Sequence, residues 1–384
     1  MSRMLQLEAL GASPAEAKEL LAYNENVFDL GALTSEVRFP LPDEPFVAFW
    51  EDVEREARTR GAFAVLRERL PQLRFPIRAG ISETEPYRAA TRHGVPAETL
   101  PEATGLEIAR PEAIEVVIHP SPAGRIPLLI ARSRPEFVAL IRALTKKNEP
   151  EPVPDAQGAL MVSGYNNWSR VGELRRRWES LDPAARETAT WGEELQRTPR
   201  ELYQDRFILL SDGPYSAVPA ADLGLDETEW RQMSLVIRRE HECAHYLTRR
   251  LFGSMRNNLL DELIADYAGL VAATGGFRAD WFLRFVGLEE FPRYRPGGRL
   301  DLYRGKPPLS DGAFRVLQAL VKSAACNLER FRGPREMALT IATLASLRLE
   351  DLASEGAEEL LKRAAIAAAA AVCPSGDQWE SWRK

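Results

Sequence analysis

Histidine is scarce: the 384-residue chain has only four. Its three cysteines, Cys243, Cys326 and Cys373, are scattered, odd in number and never spaced CxxC, which excludes a disulfide framework and a cysteine-built metal finger. No uncharged apolar run reaches the roughly 18 residues a membrane helix needs. The closest, "AAIAAAAAVC", is short and mostly alanine. The start, "MSRMLQLEAL", has no basic segment leading into an apolar one, so a secretory signal is not expected. A net charge of -6 without a basic stripe argues against a general nucleic-acid binder. With 45% apolar and 28% charged residues, the composition is that of an ordinary globular protein, and a reducing cytoplasm is the expected setting.

The pattern along the chain predicts an α+β protein: a strand-containing N-terminal lobe followed by a predominantly helical C-terminal lobe. Residues 1–112 read as helical and loop-rich, with Ser13, Pro14 and Glu16 forming a capping-box signature. Residues 113–225 mix strands and helices. "AIEVVIHP" and "RIPLLIAR" are β-branched runs separated by "SPAG", a hairpin signal, and "RFILLSDGPYSAVPA" is a later strand running into a turn. Residues 226–384 are almost all helical. Asp226 and Glu229 open a long helix that Gly253 should end.

That helix carries two of the four histidines, in "RREHECAHYLTRR". Residues four apart share a helix face, so His241 and His245 project side by side and can grip one tetrahedral zinc. Glu242 points about 100° away and reaches a water at the metal without ligating it, the arrangement of a general base in HExxH. A catalytic zinc needs three protein ligands, and "DELIAD" on the next helix supplies Glu262. Asp266, one turn further, is placed to accept the second N–H of a ligating histidine, His241. Asp261 reads as part of a solvated acidic face, and Cys243 as packing on the far side of the motif helix. Zinc suits this donor set best, with Fe(II) as the alternative.

HECAH followed by DELIAD resembles the gluzincin metallohydrolases. The resemblance implies a zincin-like core, zinc held by His241, His245 and Glu262, Glu242 as base, and Asp266 behind a ligand. It also implies a metalloprotease-like reaction on a peptide or small amide-containing substrate, and an edge strand that receives that substrate just upstream of the motif helix. Ser211 to Tyr215 fall there, making Ser211 and Tyr215 candidate substrate contacts. The spacing from His245 to Glu262 is shorter than in familiar members, and their upstream substrate motifs are missing. No histidine follows His245, so the oxyanion-stabilising role passes to a tyrosine, Tyr294 or Tyr303, in "FPRYRPGGRLDLYRGK". The metzincin extension is absent: Thr248 stands where its glycine belongs.

Asn166 and Asn167, in "GYNNWSR", are further candidates for orienting substrate amides, though such pairs also make turns and caps. Two other functions stay open at this point: a tailoring enzyme acting on a small molecule, and a helical binding protein whose metal is structural.

Overall fold

The computed structural model of the chain describes residues 3–32, 37–181 and 190–371. It is a mixed α+β protein with two compact units, one of residues 42–213 and one joining residues 1–41 to 214–384. Cys373 lies outside the described residues.

The 42–213 unit is built on a four-stranded sheet: β1 (Ile114–His119), β2 (Ile126–Ala131), β3 (Ala159–Asn166) and β4 (Gln204–Ser211), in the order β1-β2-β4-β3. β1 and β2 form the antiparallel hairpin that their β-branched runs predict. β2 and β4 are parallel, and β3 and β4 antiparallel. All six residues of β2 are buried, because it is paired on both sides and covered by a core. Helices Val47–Arg60, Ala62–Arg69 and Arg134–Thr145 supply Trp50, Leu66 and Phe137 to that core.

β4 is an interior strand. Its backbone groups are taken up by β2 and β3, so it offers no edge to a substrate, contrary to the expectation for this segment. Ser211 is buried, pairs with Ala131, and donates its N–H to Gly158 O at 2.8 Å, which removes it as a substrate contact. Asn167 caps the helix Trp168–Glu179 and donates to Asp205 at 2.7 Å. Asn166 accepts from Gln204 at 3.0 Å. Both asparagines brace the sheet end, where Asp205 also takes Trp50 Nε1 at 2.9 Å and Arg170 at 2.5 Å.

The division 1–112, 113–225 and 226–384 is therefore corrected. Residues 42–112 belong with the sheet, since Phe46, Trp50, Val53 and Leu66 complete its core. The first 41 residues belong with the helical unit. There the helix Pro14–Tyr23 buries Ala17, Leu20 and Tyr23, and Glu19 accepts from Ser310 N at 2.6 Å, holding the start of the helix Asp311–Arg330. Among the described residues no helix is long and apolar enough to cross a membrane.

Candidate metal centre

Two consecutive helices of the helical unit carry the centre. The motif helix, Glu227–Phe252, starts at Asp226, whose carboxylate accepts from the backbone of Thr228 and Glu229, and ends at Gly253 with φ 71°. From Ile237 to Thr248 most of its residues are buried, so this stretch is an interior helix and not a charged surface one. Cys243 is buried, as packing requires, and burial pushes its thiol up. The carboxylate helix, Leu259–Thr274, follows. It crosses the motif helix closely at Gly269, where a Cβ would stand 2.6 Å from Ile237 O.

The crossing brings His241, His245 and Glu262 together. His241 Nε2 and His245 Nε2 are 3.1 Å apart, and the Glu262 carboxylate lies 3.6 Å from the first and 3.7 Å from the second. The two Glu262 distances are to Oε2 and Oε1 respectively; a tetrahedral zinc with bonds of about 2.0–2.1 Å separates its donors by roughly 3.3 Å, so spacings of this size suit such an ion. The chemistry fits as well. His241 Nδ1 faces Asp266 Oδ1 at 2.9 Å, and with its proton there its Nε2 is a bare lone pair opposite the other imidazole. His245 Nε2 faces it at 3.1 Å, and with its own proton on Nδ1 the two imidazoles would offer two lone pairs to a shared cation.

Asp266 is itself held on both oxygens. Tyr215 donates its hydroxyl to Oδ1 at 2.5 Å and lies 3.0 Å from His241 Nδ1. Arg299 donates to Oδ2, and reaches the Tyr215 hydroxyl and Ser216 Oγ at 3.0 Å each. The turn presenting Tyr215 has Ser216 and Ala217 at φ 52° and 56°, left-handed values that L residues adopt at a cost. Ser234, on the motif helix, anchors the turn by accepting from Tyr215 N at 2.9 Å. Tyr215 is thus corrected from a substrate contact to a buried brace behind His241.

The two tyrosines proposed for the oxyanion part company. Tyr303 donates to Glu262 Oε2 at 2.8 Å and so lies at the donor set. Tyr294 does not. Its hydroxyl donates to Gly298 O at 2.6 Å and its ring packs edge-on to Phe314, which braces the loop in which Gly287 and Gly298 touch. Asp261 is buried, not solvated. It accepts from Asn257 N at 2.5 Å and lies 3.9 Å from His245 Nδ1. That Arg299 and Tyr215 meet at Asp266 is what sequence spacing misses, because they lie 33 and 51 positions from it and no helical period links them.

The protein groups alone shift several protonation equilibria. Burial raises the Glu242 carboxyl to about 7, with Glu262 adding and His241 opposing. Burial lowers His245 to about 4, and His241 reinforces it. Burial also works to lower His241, but the Asp266 hydrogen bond and the charges of Asp266, Glu262 and Glu242 outweigh it, and the net shift is upward. For Asp266 burial acts upward, yet Arg299, His241 and Tyr215 hold it below the usual carboxylate range. Burial, then Glu262, carries Asp261 to about 8.

No curated protein and no solved structure matches the chain. A family model described as "Family of unknown function (DUF7005)" matches residues 5–356, nearly the whole chain, and the chain belongs to that family.

Proposed function

We propose that this chain is a zinc-dependent hydrolase of gluzincin type, with a zincin-like core, that cleaves an amide or peptide bond. The observation that carries the reading is the convergence of His241, His245 and Glu262, with Asp266 behind His241 and a second buried acid, Glu242, beside them. His241, His245 and Glu262 would hold the ion; when bound, it supplies Lewis acidity that polarises a carbonyl and eases ionisation of water. Glu242 takes the proton from the attacking water and passes it to the leaving amine. Asp266, fixed by Tyr215 and Arg299, keeps the Nδ1 proton on His241 and its Nε2 free for the metal. Tyr303 orients Glu262 and is the nearer of the two candidate tyrosines for a developing oxyanion. The free thiols of Cys243 and Cys326 support a reducing, cytoplasmic setting.

A small amide-containing molecule is the second reading for the substrate. The interior position of β4 favours it, since the strand assigned to an extended peptide has no free edge.

The test pairs metal content with hydrolysis of peptide and small-amide libraries. Wild type should hold one zinc per chain, and His245→Ala should lose it. Glu242→Gln should keep the metal and lose about 10²–10⁴ in turnover. A wild type without stoichiometric metal overturns the proposal, and so does a Glu242→Gln variant that hydrolyses at the wild-type rate.

A further inference from the structure

Tyr23, at the end of the helix Pro14–Tyr23, is more than 200 residues from the motif and belongs to no catalytic pattern. It nevertheless makes two directed contacts at the centre. Its hydroxyl donates to Tyr303 O at 2.5 Å, and its carbonyl accepts from Asn258 Nδ2 at 2.6 Å. Tyr303 in turn donates to Glu262 at 2.8 Å, and Glu262 is the fourth residue of the helix that Asn258 begins. The contacts therefore close a ring, from Tyr23 to Tyr303 to Glu262 to Asn258 and back.

Asn258 is the strained member. Its φ of 52° with ψ of -121° is a conformation that residues other than glycine rarely adopt and keep only where surrounding contacts impose it. Asn26 supplies a second strut. It accepts from Asn257 Nδ2 at 2.7 Å while donating to Ala345 O and Leu347 O at 2.8 and 3.0 Å. The segment 23–26 thus grips the two asparagines that start the carboxylate helix.

We propose that Tyr23 is a positioning residue of the metal centre, tying the Arg299–Tyr303 turn to the start of the carboxylate helix and thereby setting where Tyr303 meets Glu262. This rests on the metal reading above. Tyr23 touches no ligand atom and acts through Tyr303 and Asn258. The N-terminal segment is then a working part of the centre.

The test uses the full chain and cobalt(II), whose visible absorption reports ligand geometry, in wild type, Tyr23→Phe and Asn258→Gly. Tyr23→Phe removes only the hydroxyl tie. Asn258→Gly removes the carbonyl tie while easing the backbone, so it should fold even if the first variant does not. Each should bind cobalt about tenfold more weakly with a shifted band, the size of loss expected when a group supporting a ligand is removed. The metal-free melting temperature should stay within a few degrees of wild type for Tyr23→Phe. Unchanged affinity and spectrum in both variants overturn the proposal, as does a loss of stability with an unchanged spectrum. A wild type that takes up no cobalt sinks the metal reading instead, and amide exchange then judges the clamp. Faster exchange at residues 257–263 and 299–305 in Tyr23→Phe upholds it, and equal exchange removes it.

Discussion

Gly269→Ala tests whether the crossing of the two helices sets the donor geometry. The added methyl would sit 2.6 Å from Ile237 O and 3.0 Å from Ile237 Cγ2, against 3.4 Å or more in ordinary contact. The nearer atom is backbone in the middle of the motif helix and cannot rotate away, so the helices must separate by about 0.8 Å at this point to restore ordinary contact. Overpacking of this kind costs about 1–3 kcal/mol. Replacing a mid-helix glycine returns up to about 1 kcal/mol through helix propensity. With the full return the net is a loss of up to about 2 kcal/mol, or up to about 8 °C in melting temperature for a unit of this size. Gly172→Ala is the matched control: its Cβ meets nothing nearer than Arg176 Nη1 at 3.8 Å, so propensity alone should act and the chain should gain about 0.5–1 kcal/mol. The separation falls seven residues beyond Glu262 and three beyond Asp266, while Ile237 lies one turn before His241. Zinc affinity, read by chelator competition, should therefore drop about tenfold in Gly269→Ala and stay put in Gly172→Ala. A Gly269→Ala protein with wild-type melting temperature and zinc affinity would refute the reasoning.

Asp266→Asn keeps the shape but removes the charge behind His241 and the acceptor that Tyr215 and Arg299 share; zinc should bind about 10–100-fold more weakly by chelator competition. Asp205→Ala in the sheet unit leaves Arg170, 8% exposed, without its carboxylate, and urea unfolding should show a loss of about 3–5 kcal/mol. Glu350 makes a pH prediction. Burial raises its carboxyl above the ordinary 4.5, while Arg3 and Asn24 pull the other way. The folded chain then binds this proton more tightly than the unfolded one, so the contribution to stability is full below pH 4.5 and is lost as pH rises through the raised folded value. Urea midpoints of wild type relative to Glu350→Gln should fall from pH 4 toward neutrality, and a difference that grows with pH would contradict the assignment.

The parts of the candidate site legible in the sequence are those that a helix period writes locally. His241 and His245 share a face because they are four apart, and Asp266 follows Glu262 by the same step. That Glu262 meets the histidines rests on more than period, since two helices must cross at the right height. Gly269 permits that height, and nothing in its neighbours' spacing announces it. The β1–β2 hairpin was legible for a similar reason, its two runs and turn being contiguous. The place of β4 was not. It pairs in parallel with β2 across more than 70 intervening residues, and interior and edge strands with apolar runs look alike in one dimension.

What stayed hidden at the site shares one property: its geometry is made by groups far apart in the chain. Tyr294 and Tyr303 are equivalent candidates in sequence; beside the packing of Gly287 on Gly298 the first is a loop brace, while the second reaches Glu262. Asp261 and Glu262 are adjacent acids, yet a helix rotates neighbours by about 100°, and one reaches back to Asn257 while the other faces the imidazoles. Arg299 reaches Asp266 from a loop with three other arginines that no pattern ranks. The first 41 residues, silent as sequence, are tied to Tyr303 and Asn258 by hydrogen bonds spanning 280 and 235 positions. A motif can name the candidate ligands because each needs only its own helix. Holding them at spacings of 3.1–3.7 Å needs a closed set of contacts, and that closure is a property of the folded unit alone.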